Sequence, residues 1–163
     1  MKKKHLDKTD KPMKFILKGI EIEKYFISTP NTPFLTPTAT VVIEMALQQK
    51  FSEKDNLVIN ACTINLFDNE KKENHYCSLT VNIGFTVENL SDYIETSTTP
   101  PIGKNIKLTC LNTLNAITIS TVRGILYVKN MGTFLHNSLL PIMDATKHVT
   151  MSAAQIEEKM KIK

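Results

Sequence analysis

Motifs of catalysis and nucleotide binding are missing from this chain of 163 residues. It contains no GxGxxG or P-loop to hold phosphates, no HExxH zinc motif and no GxSxG nucleophile turn. Its carboxylates concentrate in polar turns, at Glu53, Asp55, Asp68, Glu70 and Glu73, where solvation explains them. We therefore predict that the protein is not an enzyme and needs no cofactor. An enzyme or small-ligand carrier with a pocket between helix and sheet is a rival interpretation.

Cysteine is scarce, and its spacing contains no CxxC pair. Cys62, Cys77 and Cys110 lie in apolar segments, which predicts reduced core thiols in a cytoplasmic protein. A disulfide between Cys62 and Cys77, placed nearly opposite each other in a hairpin, is the alternative. The four histidines are His5, His75, His136 and His148. The nearest potential metal-ligand pair, Asp144 with His148, lacks a third ligand, so we predict no metal site.

Long apolar runs are also absent. No stretch of eighteen consecutive residues is apolar throughout. No apolar run of signal-peptide length follows the basic start MKKKHLDKTDKPMK. The net charge of +4 comes largely from lysines near the two ends. Such charge runs are typical of solvated tails, and no nucleic-acid recognition motif accompanies them. We expect a soluble cytoplasmic protein that neither binds nucleic acid nor inserts into a membrane, with a flexible basic tail over residues 1–13.

What the chain does contain is alternating apolar sequence typical of β-strands. Strands are predicted over Phe15–Ser28, Thr38–Phe51, Leu57–Phe67 and His75–Val87, with short turns joining the last three in an antiparallel meander. In the first strand we expect Ile16, Ile20, Ile22 and Phe26 to face inward. In the third strand the alternating apolar residues switch from odd-numbered to even-numbered positions at Ala61. This switch indicates either a bulge near Ala61 or burial of both faces of the strand.

Residues 108–122 carry no charge, and their length favours a helix over a strand despite the β-branched residues of 116–122. Leucines, isoleucines and Val122 occupy one helical face. The opposite face is small and weakly polar and includes Thr109, Thr113, Ala116, Ser120 and Tyr127. A helix on a monomer's surface normally shows solvent a charged stripe, so this face predicts contact with a second helix or another subunit. A helix buried within its own domain is the alternative.

The helix is the only large element available to cover the sheet, so the fold class is α+β, with helices on one face. Gly132 is placed to end the long helix, and residues 149–163 could form a shorter C-terminal helix, capped by Ser152 with Gln155, or a frayed tail. Apolar residues also recur outside the strands, at Phe34 and Leu35, over 90–94 and over 134–140. Exposed apolar grooves mark binding of proteins or peptides.

Residues 14–148 resemble the SecB family of export chaperones. The first strand ends in STPNTPF, similar to that family's loop, and the order of elements agrees as far as RGILYVKNMGTFLHNSLLPI, the most specific stretch. The resemblance implies four antiparallel strands with helices on one face and a homotetramer built as a dimer of dimers. It also implies that unfolded precursor polypeptides are held without ATP and passed to the secretion motor.

By this resemblance, the client-binding groove would be lined by Phe34, Leu35, Phe85, Val87, Tyr93, Phe134, Leu135 and Leu139. One departure concerns the motor. SecB proteins that dock to it are acidic, whereas this chain is basic and has Lys24 and Ser28 at the corresponding first-strand positions, with Glu21 and Glu23 nearby. An alternative function is therefore that of a dedicated SecB-like chaperone for one partner, as in toxin–antitoxin systems.

Overall fold

A four-stranded antiparallel sheet forms the body of the protein. The computed structural model describes residues 12–28, 41–68, 75–97 and 103–142. The strands are β1 (Phe15–Ile27), β2 (Val41–Ser52), β3 (Leu57–Asp68) and β4 (His75–Val87), in the spatial order β1-β4-β3-β2. The predicted meander with a crossover is confirmed, because β1 and β2 follow each other in the chain but lie at opposite edges of the sheet.

The phase change in β3 does not come from a bulge near Ala61, and that prediction is wrong. The pairing of β3 with β2 is unbroken over all twelve residues, and its register with β4 shifts only between Leu66 and Phe67. Cys62, Ile64 and Leu66 face the core, while Leu57, Ile59 and Ala61 are half-buried on the other face. Partial cover of both faces therefore explains the pattern.

The inward row predicted for β1 is also wrong. The register with β4 shifts between Leu17 and Gly19 and again between Ile22 and Lys24, and each shift moves the following side chains to the other face. Ile20 and Ile22 pair with the core-facing Ile83 and Val81, whereas Ile16 and Phe26 pair with Thr86 and Ser78 on the opposite, outer face. All four isoleucine and phenylalanine side chains are exposed. The period of two is therefore broken twice within one strand.

The segment between the sheet and the long helix contains regular secondary structure. A short 3₁₀ helix (Leu90–Tyr93) leads into a hairpin of β5 (Ile94–Ser97) and β6 (Gly103–Ile106). An ion pair between Lys104 and Glu53 joins this hairpin to the β2–β3 turn. The hairpin was not predicted, because its four-residue strands are too short to establish a period.

The predicted long helix is α1 (Leu108–Asn130), which follows the hairpin. Directly after its C-cap residue Met131, Gly132 has a φ of 74°, which confirms its predicted role at the helix end. The shorter helix predicted over 149–163 and the tail over 1–13 lie wholly or almost wholly outside the described residues. Cys62, Cys77 and Cys110 are buried free thiols. Cys62 lies opposite Val81 and Cys77 opposite Leu66, so the alternative disulfide is not formed.

Candidate functional site

Helix α1 packs against β3 and β4 and leaves the edge strand β1 largely uncovered. On the helix side of the sheet, the β4 residues Val81, Ile83 and Phe85 are fully buried. Their β1 neighbours on the same side, Ile22 and Leu17, are 41% and 46% exposed. The difference arises because α1 lies over the centre of the sheet and not over its β1 edge. An apolar row is thus left open beside the helix.

A groove of about 400 Å³ lies between Ile22 of this row and α1. We call it the β1–α1 groove; its lining residues are Ile22, Thr121, Gly124, Ile125, Val128 and Lys129. Val128 is 64% exposed, and in the described part of the chain no atom beyond the adjoining residues and helix backbone lies within 4 Å of where a Cβ of residue 124 would stand. An open apolar groove of this kind is suited to side chains from another polypeptide.

Next to the groove, two contacts join β1 to the last turn of α1. The Tyr25 hydroxyl donates to the Lys129 carbonyl oxygen at 3.0 Å, and the Lys129 ammonium lies 5.3 Å from the centre of the Tyr25 ring. Burial, with a smaller contribution from Cys77, raises the pKa of Tyr25. The phenol therefore remains a hydrogen-bond donor at neutral pH. Lys129 is the only charged residue lining the groove.

The uncharged outer face of α1 is exposed, as the periodicity predicted. Thr109, Thr113, Ala116, Ser120 and Tyr127 are all exposed, and they continue from the groove residue Gly124 along the helix. The buried face contains the predicted Leu114, Ile119, Val122 and Leu126, but also Cys110, Asn115, Thr118 and Asn130. In the described residues α1 thus has one buried and one exposed face, and contact of the exposed face with a second helix or another subunit stays a prediction.

The predicted groove residues that the structure describes do not lie together at one open site. Phe85, Val87 and Leu135 are fully buried in the core, so in the described part of the chain they are not open to a client. Tyr93 is half-buried near the start of α1, where its carbonyl oxygen accepts from the Lys107 amide at 2.7 Å.

The other predicted groove residues lie elsewhere. Phe134 packs edge-to-face on Tyr76 beyond the C-terminal end of α1, whereas Tyr93 lies near its N-terminal end; by its rise the helix is roughly 35 Å long. Leu139 is 56% exposed. Phe34 and Leu35 lie outside the described residues.

Sequence reasoning missed the groove because it assigned the exposed β1 residues to the core. One signal could have indicated it. A glycine inside a helix costs stability, so Gly124 in the middle of α1 suggests a point where another chain comes close. The two bulges in β1 have no comparable signal in the sequence.

Two absences hold for the described parts of the chain. No helix there is both long and apolar enough to cross a bilayer. Within the same residues, no three His, Cys, Asp or Glu side chains are grouped as they would be to hold a metal ion.

In the described residues, four antiparallel strands and one long covering helix form an α+β fold that resembles the fold of a SecB-like chaperone. The SecB-like chaperone Rv1957 of Mycobacterium tuberculosis, solved in complex with a ChAD peptide from the HigA1 antitoxin Rv1956, aligns with a TM-score of 0.57 at 11% identity. The alignment covers 79% of this chain and 89% of that one.

A Streptococcus agalactiae protein of unknown function aligns more loosely, with a TM-score of 0.38 at 11% identity, over 74% of this chain and 90% of that one. No family model matches the sequence, and no curated protein does. At this identity the Rv1957 likeness concerns the fold.

Proposed function

We propose that this protein is an ATP-independent chaperone that holds non-native polypeptides in the β1–α1 groove. The observation that supports it most is an open apolar groove, continuous with an exposed strand, on a SecB-like fold. That the SecB-like chaperone Rv1957 was solved with an antitoxin peptide is consistent with a polypeptide ligand. The three free thiols support a reducing, cytoplasmic location.

The chemistry of the groove suits an extended client. Such a chain presents an apolar side chain at every second residue, and each one that leaves water gains about 25 cal/mol per Å². The lining contains apolar carbon, one threonine and one lysine, with no array of donors or acceptors that would demand a particular sequence. Affinity then comes from the summed small gains, without nucleotide binding.

The test is fluorescence anisotropy of a dye-labelled, reduced and carboxymethylated polypeptide titrated with the protein. We expect a Kd in the low micromolar range or tighter. Ile22→Lys should weaken binding at least about tenfold, because it places an ammonium group in the apolar groove. Failure of several unrelated unfolded chains to bind would refute the proposal.

The chain offers a matched control on the same strand. Ile16→Lys makes the same change at a residue that is 69% exposed on the outer face of the sheet. It should leave client binding within about twofold of the unaltered protein, provided that both variants have the same solution mass by light scattering. Equal losses in the two variants would show that the groove is not the client site.

A second candidate function is that of a chaperone dedicated to one partner. The antitoxin peptide bound by Rv1957 favours it. Competition separates the two functions: many unrelated unfolded chains should displace a client from a general chaperone, and almost none should displace the partner of a dedicated one.

The proposal includes self-association as a homotetramer, a dimer of dimers, through the exposed face of α1. This face presents small uncharged side chains to solvent over several turns. Ala116→Arg should lower the solution mass measured by light scattering, because it introduces charge at the centre of the contact. A monomeric unaltered protein would contradict this part of the proposal without affecting the groove.

Delivery to the secretion motor is the least supported step. Lys24 is exposed on the outer sheet face, where SecB proteins that dock to the motor present a carboxylate. Glu21 is exposed on the same face, so this surface is mixed in charge. We therefore limit the proposal to holding the client.

A further inference from the structure

The two edges of the sheet differ in how well they are protected from pairing with another strand. Edge strands usually carry bulges, charges or prolines that prevent such pairing. β1 has this protection, with two register shifts and the four charged residues Lys18, Glu21, Glu23 and Lys24. β2 contains no proline, and its pairing with β3 is unbroken over its whole length. In the described part of the chain β2 pairs with β3 alone, so the backbone donors and acceptors on its other side are open.

The charges of β2 are arranged symmetrically about its middle. Glu44 and Lys50 are its only charged residues, and they stand three positions before and after Leu47. Both are exposed on the outer face of the sheet, about 20 Å apart along the strand, which is too far for them to pair with each other. Among the described residues, neither side chain has a hydrogen-bond or ion-pair partner.

Two copies of β2 that lie side by side and antiparallel match this symmetry. A two-fold axis through Leu47 sets residues that are equally far from Leu47 opposite each other, so Glu44 of each copy faces Lys50 of the other. Residues opposite each other in an antiparallel pair have Cβ atoms about 4.5–5.5 Å apart, which allows an ion pair at both positions. On the helix side of the sheet, Leu47 meets its own copy and Ile43 meets Phe51 of the second copy. Charged and apolar side chains are therefore both matched.

Other registers lose this match. An axis through either neighbour of Leu47 sets each charge opposite an uncharged residue, and an axis through Glu44 or Lys50 opposes like charges. The axis through Leu47 also lies close to the middle of β2, so that residues 42–52 are paired along nearly the whole strand. Charge and length therefore select the same register.

The covering helices leave room for this contact. Because α1 lies over β3 and β4, four strand spacings separate it from its copy in the paired sheet, or about 19 Å. Packed helices lie about 8–10 Å apart, so the two copies of α1 do not collide. Both lie on the same side of one continuous sheet, and the exposed face of α1 stays open.

We propose that β2 is a self-association edge, which pairs with β2 of a second copy of this chain in the antiparallel register centred on Leu47. The tetramer proposed above is a dimer of dimers and requires two different two-fold contacts, of which the exposed face of α1 supplies one. The β2 edge supplies the other. Assembly into a tetramer rests on that proposed function, whereas the pairing of β2 does not.

The test reverses the two charges one at a time and measures solution mass by sedimentation equilibrium. Glu44→Lys gives each copy two ammonium groups at this edge, and Lys50→Glu gives each copy two carboxylates. Either variant alone opposes like charges at both positions, so the dissociation constant of the contact should rise at least about tenfold. In an equimolar mixture, a copy with Glu44→Lys can pair with a copy with Lys50→Glu, and opposite charges then meet at both positions. The mixture should therefore regain the solution mass of the unaltered protein.

The other edge strand offers a matched control. Glu21→Lys and Lys24→Glu reverse exposed charges on the outer face of β1. Neither variant should change the solution mass, alone or in a mixture. A loss of mass in these variants, with none in the β2 variants, would assign the contact to the β1 edge and overturn the proposal.

Three further results would overturn it. One is a monomeric unaltered protein. Another is a loss of mass in both β2 variants that mixing does not restore, because the two charges would then not face each other. The third is an unchanged mass with weakened client binding in both variants, which would assign the edge to the backbone of an extended client. The groove and the α1 contact are tested separately by Ile22→Lys and Ala116→Arg, so failure of the β2 pairing is distinguishable from failure of either.

Discussion

The glycine in the middle of α1 allows a quantitative test of how the helix is used. Gly124 is exposed, and among the described residues a Cβ at this position would meet no atom within 4 Å beyond the adjoining residues and helix backbone. Gly124→Ala therefore adds no clash and removes only the conformational cost of glycine, which is about 0.5–1 kcal/mol inside a helix. For a domain of this size, the melting temperature should rise by roughly 1–4 °C.

The assay is urea unfolding followed by circular dichroism, repeated over at least a hundredfold range of protein concentration. The stability of an oligomer depends on concentration, whereas that of a monomer does not. If a second copy approaches α1 at Gly124, the alanine variant should gain stability at low concentration and lose part or all of the gain at high concentration. If the alanine variant is more stable than the unaltered protein at every concentration, any contact between copies lies away from Gly124.

A reverse substitution on the same face serves as the control. Ala116→Gly also changes an exposed position inside α1 and should lower stability by about 0.5–1 kcal/mol. The reasoning would be refuted if Gly124→Ala lowered the stability of the protein at concentrations where light scattering shows a monomer.

Three further predictions concern the core and its titratable groups. Leu114→Ala should cost about 2–5 kcal/mol of unfolding free energy in urea because the side chain is fully buried, whereas Leu108→Ala, at 51% exposure, should cost about 1 kcal/mol or less. Burial raises the pKa of the Cys62 thiol to about 12. At pH 8 its reaction with a chromogenic disulfide should therefore be roughly a thousandfold slower than that of an exposed thiol, and the rate should recover in urea. A fast reaction in the folded protein would contradict this burial. Burial, and then the hydrogen bond to Asp68, raise the pKa of Tyr76 from 10.0 to about 12. The unfolded chain loses this proton first, so stability should fall as pH rises from 10 to 12, and Tyr76→Phe should make that fall shallower; an unchanged slope would contradict the assignment.

Much of the architecture could be predicted because local pattern and global packing agree there. In β4, alternation from Cys77 to Val87 places every second side chain in the core, and the observed register with β3 keeps that phase along nearly the whole strand. The small face of α1 and the turn at Gly132 were predictable for the same reason, since each depends on residues close together in the chain.

The groove could not be predicted, because it depends on distant residues. Whether Ile22 is core or surface is decided by the two bulges in β1 and by the position of α1 over β3 and β4, neither of which leaves a periodic signal. The buried hydrogen bonds of Asn60 are a further case: Asn60 alternates with apolar neighbours as a core residue does, but its partners Asn115 and Thr118 are more than fifty positions away.

The sequence by itself determined the α+β class, the meander, the long helix and its uncharged face, because spacings of two and of three to four residues are local properties of strands and helices. Only the tertiary structure decided which apolar residues remain exposed. A single helix is narrower than four strands, so it covers the central β3 and β4 and leaves Leu17, Ile20 and Ile22 of the edge strand open beside it.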